Sequence, residues 1–204
     1  MLVEGSIPSS AMQGELGNDL LQKEYPRFFK KIVDNSKIVC YNKEKLRKEV
    51  MIMNKTLVFD MDGTIADFYG VEGWLDDLNA ENTRPYAEAE PLWDMIELVE
   101  VLNQLKALGW KIAITSWLAN DSSKAFEDNT RVAKREWLER YNFPYDEIHL
   151  VKYGTTKANC TRKNGGYQIL VDDNDKIRKG WTLGETINPT TENIIEIFKL
   201  LLTE

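Results

Sequence analysis

Residues Leu57-Val58-Phe59-Asp60-Met61-Asp62-Gly63-Thr64 constrain this chain more than any others, because an apolar strand here runs straight into two acids. Leu57, Val58 and Phe59 suit a sheet interior. Ionised carboxylates resist burial unless something compensates them. That compensation is a proton or a divalent cation, and hard oxygen donors of this kind suit Mg²⁺. Asp60 and Asp62 stand two residues apart, so a turned segment brings both to one small volume. Gly63 lets the backbone turn away, and Thr64 is placed to cap a following helix. The plain alternative is a surface Asp-Gly turn after a strand.

Further along, the same pattern recurs and argues against that alternative. Lys111-Ile112-Ala113-Ile114-Thr115-Ser116 is an apolar run ending in hydroxyls, and Ile169-Leu170-Val171-Asp172-Asp173 is another ending in paired acids. Between them lie Ile148-His149-Leu150-Val151 and the loop Lys152-Tyr153-Gly154-Thr155-Thr156-Lys157. Parallel strands present their C-terminal ends on one edge of a sheet, where ligands bind. The three acid- and hydroxyl-ended strands and a lysine loop therefore predict one pocket for a phosphate with Mg²⁺. There the metal and lysine would neutralise oxygen charge while the hydroxyls orient it.

In this order the motifs resemble those of the haloacid dehalogenase (HAD) superfamily: Asp-Met-Asp-Gly-Thr, then Thr115-Ser116, then Lys157, then Asp172-Asp173. The resemblance spans about residues 54–180. It implies an α/β fold of three layers, Rossmann-like, with a central parallel sheet and a small cap insert. It further implies an Mg²⁺-dependent phosphatase in which Asp60 is the nucleophile and Asp62 the general acid and base. Asp60 and Asp172 would ligate the metal through their side chains and Asp62 through its carbonyl, with Asp173 in the second shell or acting through water. Thr115, Ser116 and Lys157 would bind the phosphoryl group, Lys157 also pairing with the nucleophile. Lys152 is the other lysine the loop offers for that role. The Asp-Met-Asp-Gly-Thr-Ile-Ala-Asp-Phe stretch and the Thr-Ser pair resemble the 5'(3')-deoxyribonucleotidase branch, with two departures. That branch usually carries a larger insert, and it has proline where this chain has Trp117.

Organisation and composition set limits. A chain of 204 residues, 43% of them hydrophobic, can bury a substantial core. Residues 53–204 read as one hydrolase domain. Residues 1–52 read as an extension, its start mobile, with a basic cluster at Lys43–Lys48 on a possible helix, and with Met51 or Met53 as an alternative natural start. That arm carries about +2 and the remainder about −9 of a net −7, so a broad footprint for duplex nucleic acid is missing. Cys40 and Cys160 fit a reducing cytoplasm better than a disulfide framework. No apolar run approaches the roughly 20 residues that cross a bilayer, and the N-terminus lacks the order of a signal peptide.

Helical spacing of Ile96, Val99, Leu102 and Leu105 predicts a helix over 93–108, closed at Gly109. A polar link over 120–129 should lead to a helix at about 130–141 with Val132, Trp137 and Leu138 as core. A last amphipathic helix should cover about 191–202. His149, inside a strand, reads as a packing or hydrogen-bonded residue.

The resemblance implies that substrate specificity is carried by the insert, here Phe68 to Leu92, which reads as irregular and acidic and is too short for a separate cap domain. Its Phe68 and Trp74, with Trp117 after the second motif, are the candidate specificity residues. Aromatics beside a phosphate site can stack a nucleobase at about 1–3 kcal/mol per base; ordinary packing is their plain alternative. Three functions stay open: a phosphatase acting on a small phosphorylated substrate such as a nucleoside monophosphate; the same chemistry at an open site on a nucleic-acid 3'-end or a phosphoprotein; and a catalytically silent binding module.

Overall fold

Strand β1 (Lys55–Phe59) occupies the centre of a five-stranded, all-parallel sheet in a computed structural model that describes residues 54–203. The expectations for residues 1–52, including the Lys43–Lys48 cluster and Cys40, lie outside the described residues. After β1 come a 3-10 turn (Phe68–Gly70) and the helices α1 (Trp74–Asn79), α2 (Arg84–Glu88) and α3 (Met95–Ala107). They are followed by β2 (Trp110–Trp117), α4 (Lys124–Arg140), β3 (Glu147–Val151) and α5 (Lys157–Thr161). The chain then runs through β4 (Tyr167–Val171), α6 (Asp175–Gly180), β5 (Gly184–Ile187) and α7 (Ile194–Leu201). Strand order is β3-β2-β1-β4-β5. The architecture is α/β, Rossmann-like, in three layers.

Period-two alternation sorts the strand residues between the two faces. Leu57, Phe59, Ile112, Ile114, Ile169 and Val171 join the larger core with residues of α3 and α7. Val58, Ala113 and Leu170 point the other way, onto Ala158 of α5 and Trp181. Both faces being covered explains why the strands are near-continuous apolar runs. Phe59 anchors the larger core, its ring 5.3 Å from Phe143 and 5.6 Å from Phe198 in edge-on contact.

Caps fix the helix boundaries. Asp94 accepts from the amides of Ile96 and Glu97 to start α3, and Gly109, at φ +89°, follows its end. The expected phase was off by one residue at its start: Met95, Leu98, Val101, Leu102 and Leu105 are buried, while Ile96 is 84% exposed. The region 120–129 is not all link, because Ser123 accepts from the Phe126 amide and α4 begins at Lys124. Its first turns look polar in sequence because Lys124 pairs with Asp128 and Glu127 with Arg131. Trp137 and Leu138 are buried as expected, but Val132 is 51% exposed. The last helix runs over Ile194–Leu201, capped by Asn193.

Between β1 and α3 the chain is also more ordered than its composition implies. The 3-10 turn, α1 and α2 pack Phe68 and Tyr86 against Phe126 and Ala133 of α4, with Trp74 and Leu78 alongside. Arg84 holds this piece together, binding the Glu72 carbonyl and pairing with Asp77 and Glu88. No helix among the described residues is long and apolar enough to cross a membrane.

Candidate active site

Register builds the site before any side chain is considered. Phe59 pairs with Ile114 on one side and Val171 on the other, so the next residues, Asp60, Thr115 and Asp172, fall level at the C-terminal edge of three neighbouring strands. Alternation sends all three to the same face. The edge between β1 and β4 is where the strand order reverses, the place where open α/β sheets bind ligands.

Directly after β1 the chain folds back on itself. The amides of Thr64, Ile65 and Ala66 converge on the Met61 carbonyl, and Gly63, at φ +75°, donates to Ala66. A side chain on Gly63 would begin 2.8 Å from Asp173 Oδ2 and 2.8 Å from the Tyr69 ring, so glycine is required there by space as well as by conformation. Thr64 was expected to cap a helix, but no helix follows it. Its hydroxyl instead accepts from the Asp173 amide at 3.1 Å, tying the β1 turn to the end of β4.

Asp60, Asp172 and Asp173 place one carboxylate oxygen each within 4.8 Å of one another. Asp173, expected to act behind the ligands or through water, contributes one of these clustered oxygens. Lys157 opens α5 with its side chain buried, its Nζ 2.9 Å from Asp60 Oδ1 and 2.7 Å from Asp172 Oδ2. Lys152 is exposed, so of the two loop lysines it is Lys157 that meets the acids. Asp62 lies outside the carboxylate cluster; its Oδ2 pairs with Lys134 at 2.5 Å. Thr115 is fully buried and its Oγ1 has no partner among the described residues. Ser116, on the opposite parity of β2, accepts a hydrogen bond from Lys134 at 2.9 Å.

Burial raises the carboxyls of Asp172, Asp173 and Asp62. Asp172 is pushed up to about 6, by desolvation first and by Asp60 next, against the pull of Lys157. Asp173 is raised by desolvation and then Asp60. Desolvation also raises Asp62, with Lys134 opposing it. For Lys157, desolvation favours the neutral form, yet Asp60 and Asp172 outweigh it and hold the ammonium charged. Three crowded acids with one lysine leave an excess of negative charge in a dry place. The fit to a hard divalent cation is good: the donors are all carboxylate oxygens, and Asp60 Oδ1 is buried without an aligned hydrogen bond.

Aromatic rings border the acids. Tyr69, 52% exposed, packs edge-on against Trp74 at 5.2 Å. Its hydroxyl is held neutral by desolvation and by the charges of Asp62, Asp173 and Asp60. Trp117 donates to the Thr155 carbonyl, packs against the exposed Tyr153 with ring centroids 4.7 Å apart and planes tilted by 56°, and has its ring centroid 5.4 Å from Lys157 Nζ. Phe68, expected beside a substrate, is buried against Tyr86 and Trp74. Sequence reasoning missed Tyr153, although it adjoins the loop lysine Lys152 that it singled out. It also missed Lys134. His149 sits in β3 with Nε2 3.4 Å from Glu147 Oε2 and touches none of the acids.

No protein-family model matches the chain, and no curated protein matches it. Among solved structures it is similar to a D,D-heptose 1,7-bisphosphate phosphatase from Burkholderia thailandensis, over 74% of this chain and 100% of that one. The identity is 12% and the TM-score 0.45. At that level the likeness says nothing of activity, and the function is argued from the site's own geometry.

Proposed function

We propose that this chain is an Mg²⁺-dependent phosphomonoester hydrolase of the HAD type, working through an aspartyl-phosphate on Asp60, with a nucleoside monophosphate as its substrate class. One observation carries the reading: Asp60 stands at the centre of the sheet edge, with Thr115 and Asp172 level on either side and Lys157 bridging the two carboxylates.

An oxygen of Asp60 attacks the phosphorus, and the bond from phosphorus to the ester oxygen breaks. Asp62 gives its proton to the departing oxygen, releasing an alcohol. Water then attacks the phosphorus of the aspartyl-phosphate, Asp62 takes the water's proton, and inorganic phosphate leaves with Asp60 restored. Lys157 fixes the nucleophile and balances phosphoryl charge, while the Thr115 hydroxyl, with Ser116 beside it, donates to a phosphoryl oxygen. Mg²⁺, held by Asp60, Asp172 and the Asp62 carbonyl with Asp173 close by, would neutralise charge on the transferring group. The Gly63 turn and the Thr64 tie to Asp173 keep these groups in fixed relation.

The nucleotide preference rests on the rings. Tyr69 with Trp74 and Trp117 with Tyr153 offer partly exposed faces beside the acids, and stacking on such faces is worth about 1–3 kcal/mol per base. A cytoplasmic setting fits Cys160 as a free thiol. The test is phosphate release with Mg²⁺ from nucleoside 5'- and 3'-monophosphates, sugar phosphates, a phosphopeptide and a 3'-phosphorylated oligonucleotide, with Asp60→Asn as blank. Preference for the monophosphates supports the reading. Preference for the oligonucleotide or phosphopeptide moves the substrate to a macromolecule, and release from none of them, by folded protein, removes the hydrolase reading.

A further inference from the structure

Lys134 is a buried cation that none of the roles above uses. It lies on the third turn of α4 with its side chain 1% exposed. Its Nζ donates to Asp62 Oδ2 at 2.5 Å, Ser116 Oγ at 2.9 Å and the Trp117 carbonyl at 3.1 Å. An ammonium has three N–H groups, so every donor is spent inside the protein and none remains for a phosphate. Among the described residues Lys134 is the one hydrogen-bond donor to the Asp62 carboxylate. From the other side the Tyr86 ring of α2 covers the ammonium, 4.9 Å from Nζ to the ring centroid.

This arrangement has a cost that needs an offset. A buried lysine loses its hydration and is tolerated only when its donors are met and a counter-charge is close. Ser116 and the Trp117 carbonyl fix the ammonium to the end of β2, which is rigid within the sheet. The lysine therefore holds Asp62 from a second scaffold, separate from the turn that carries Asp62. The hydrogen bond engages Oδ2 and leaves Oδ1 without one, which selects a single oxygen for the substrate side.

We propose that Lys134 is a positioning residue that aims the free oxygen of Asp62 at the ester oxygen, and that Tyr86 of the segment between β1 and α3 keeps this contact dry. The inference rests on the hydrolase reading and on Asp62 as its proton donor. A misplacement of about 1 Å in such a group can cost about a hundredfold in rate. Only leaving groups that need a proton feel that loss, since p-nitrophenolate departs readily without one.

The experiment compares kcat/KM for an alkyl phosphate and for p-nitrophenyl phosphate in the wild type, Lys134→Met, Asp62→Asn and the double variant, with Mg²⁺ present. kcat/KM reports steps only up to formation of the aspartyl-phosphate, so the later hydrolysis does not enter. Lys134→Met should lower the alkyl value by about tenfold or more, and the p-nitrophenyl value by less than about threefold. In the Asp62→Asn background it should change the p-nitrophenyl value by less than about twofold, because its target is already gone. An equal fall on both substrates, additive losses in the double variant, or no loss at all would overturn the proposal. If Lys134→Met does not fold, Lys134→Gln, which keeps a donor, is judged by the same ratios. A wild type without activity on either ester overturns the hydrolase reading and this inference with it, whereas an active wild type with equal losses overturns the inference alone.

Discussion

Replacing Lys157 with methionine keeps the bulk of the side chain and removes the cation between two buried carboxylates. Lys157 Nζ lies 2.9 Å from Asp60 and 2.7 Å from Asp172, in a place where neither acid finds water easily. Breaking one partner out of a buried charge pair costs about 3–5 kcal/mol, because the remaining charge is left uncompensated. For a domain of this size that is a fall in melting temperature of roughly 6–20 °C. The sign of the pH dependence follows from Asp172. Its folded carboxyl titrates at about 6, above the 3.8 it has in the open chain, and loss of the lysine raises it further. A carboxyl raised on folding is favourable below its unfolded value, and that contribution is lost as pH climbs through the folded one. The penalty in Lys157→Met should therefore be small at about pH 5 and full at about pH 8, with Mg²⁺ restoring part of it at the higher pH. Urea unfolding of both proteins at the two pH values, with EDTA and then with Mg²⁺, reads this directly. A penalty below about 1 kcal/mol at about pH 8, or one that does not change with pH, would refute the reasoning.

Three further outcomes are expected. Asp60→Asn should lose turnover on every phosphate ester while keeping its unfolding midpoint close to that of the wild type, read by phosphate release and urea unfolding together. Mg²⁺ affinity of the wild type, measured by calorimetry, should weaken as pH falls through about 6, because the proton on Asp172 competes with the metal; affinity flat across that range would count against Asp172 as a ligand. Gly63→Ala forces a side chain into a left-handed turn and against Asp173 Oδ2 and the Tyr69 ring at 2.8 Å. It should cost on the order of 1–3 kcal/mol and weaken Mg²⁺ binding, whereas an unchanged Mg²⁺ titration would show that the turn can shift without moving the acids.

The strands and their acid ends were legible because the signal is local. An apolar run that stops at a carboxylate is informative within eight residues, and parallel register then brings distant runs level without further information. The β1 turn was harder to read: Thr64 follows the acids as a cap residue would, yet its partner is the Asp173 amide, 109 residues away. In α3, adjacent Met95 and Ile96 offer two phases for one helix, and only packing against α7 and the sheet chooses between them. The segment 68–92 hid its helices because α1 and α2 are too short to show a period. They are held by Arg84 and by aromatic contacts with α4 rather than by their own propensity. Lys134 was overlooked because a lysine in a charged helix reads as a solvent-facing residue. The signal was nevertheless present, since Lys134 falls on the stripe of Thr130, Ala133, Trp137 and Leu138, all buried. A lysine on the apolar face of a helix must find an anion inside, and here that anion is Asp62.

The most direct test of the central claim is a rapid acid quench during turnover of a nucleoside monophosphate with Mg²⁺, followed by mass analysis of the protein and its peptides. The account expects one added phosphoryl group on the peptide carrying Asp60, absent from Asp60→Asn. Sustained phosphate release with no phosphorylated peptide, from wild type and Asp60→Asn alike, would contradict it.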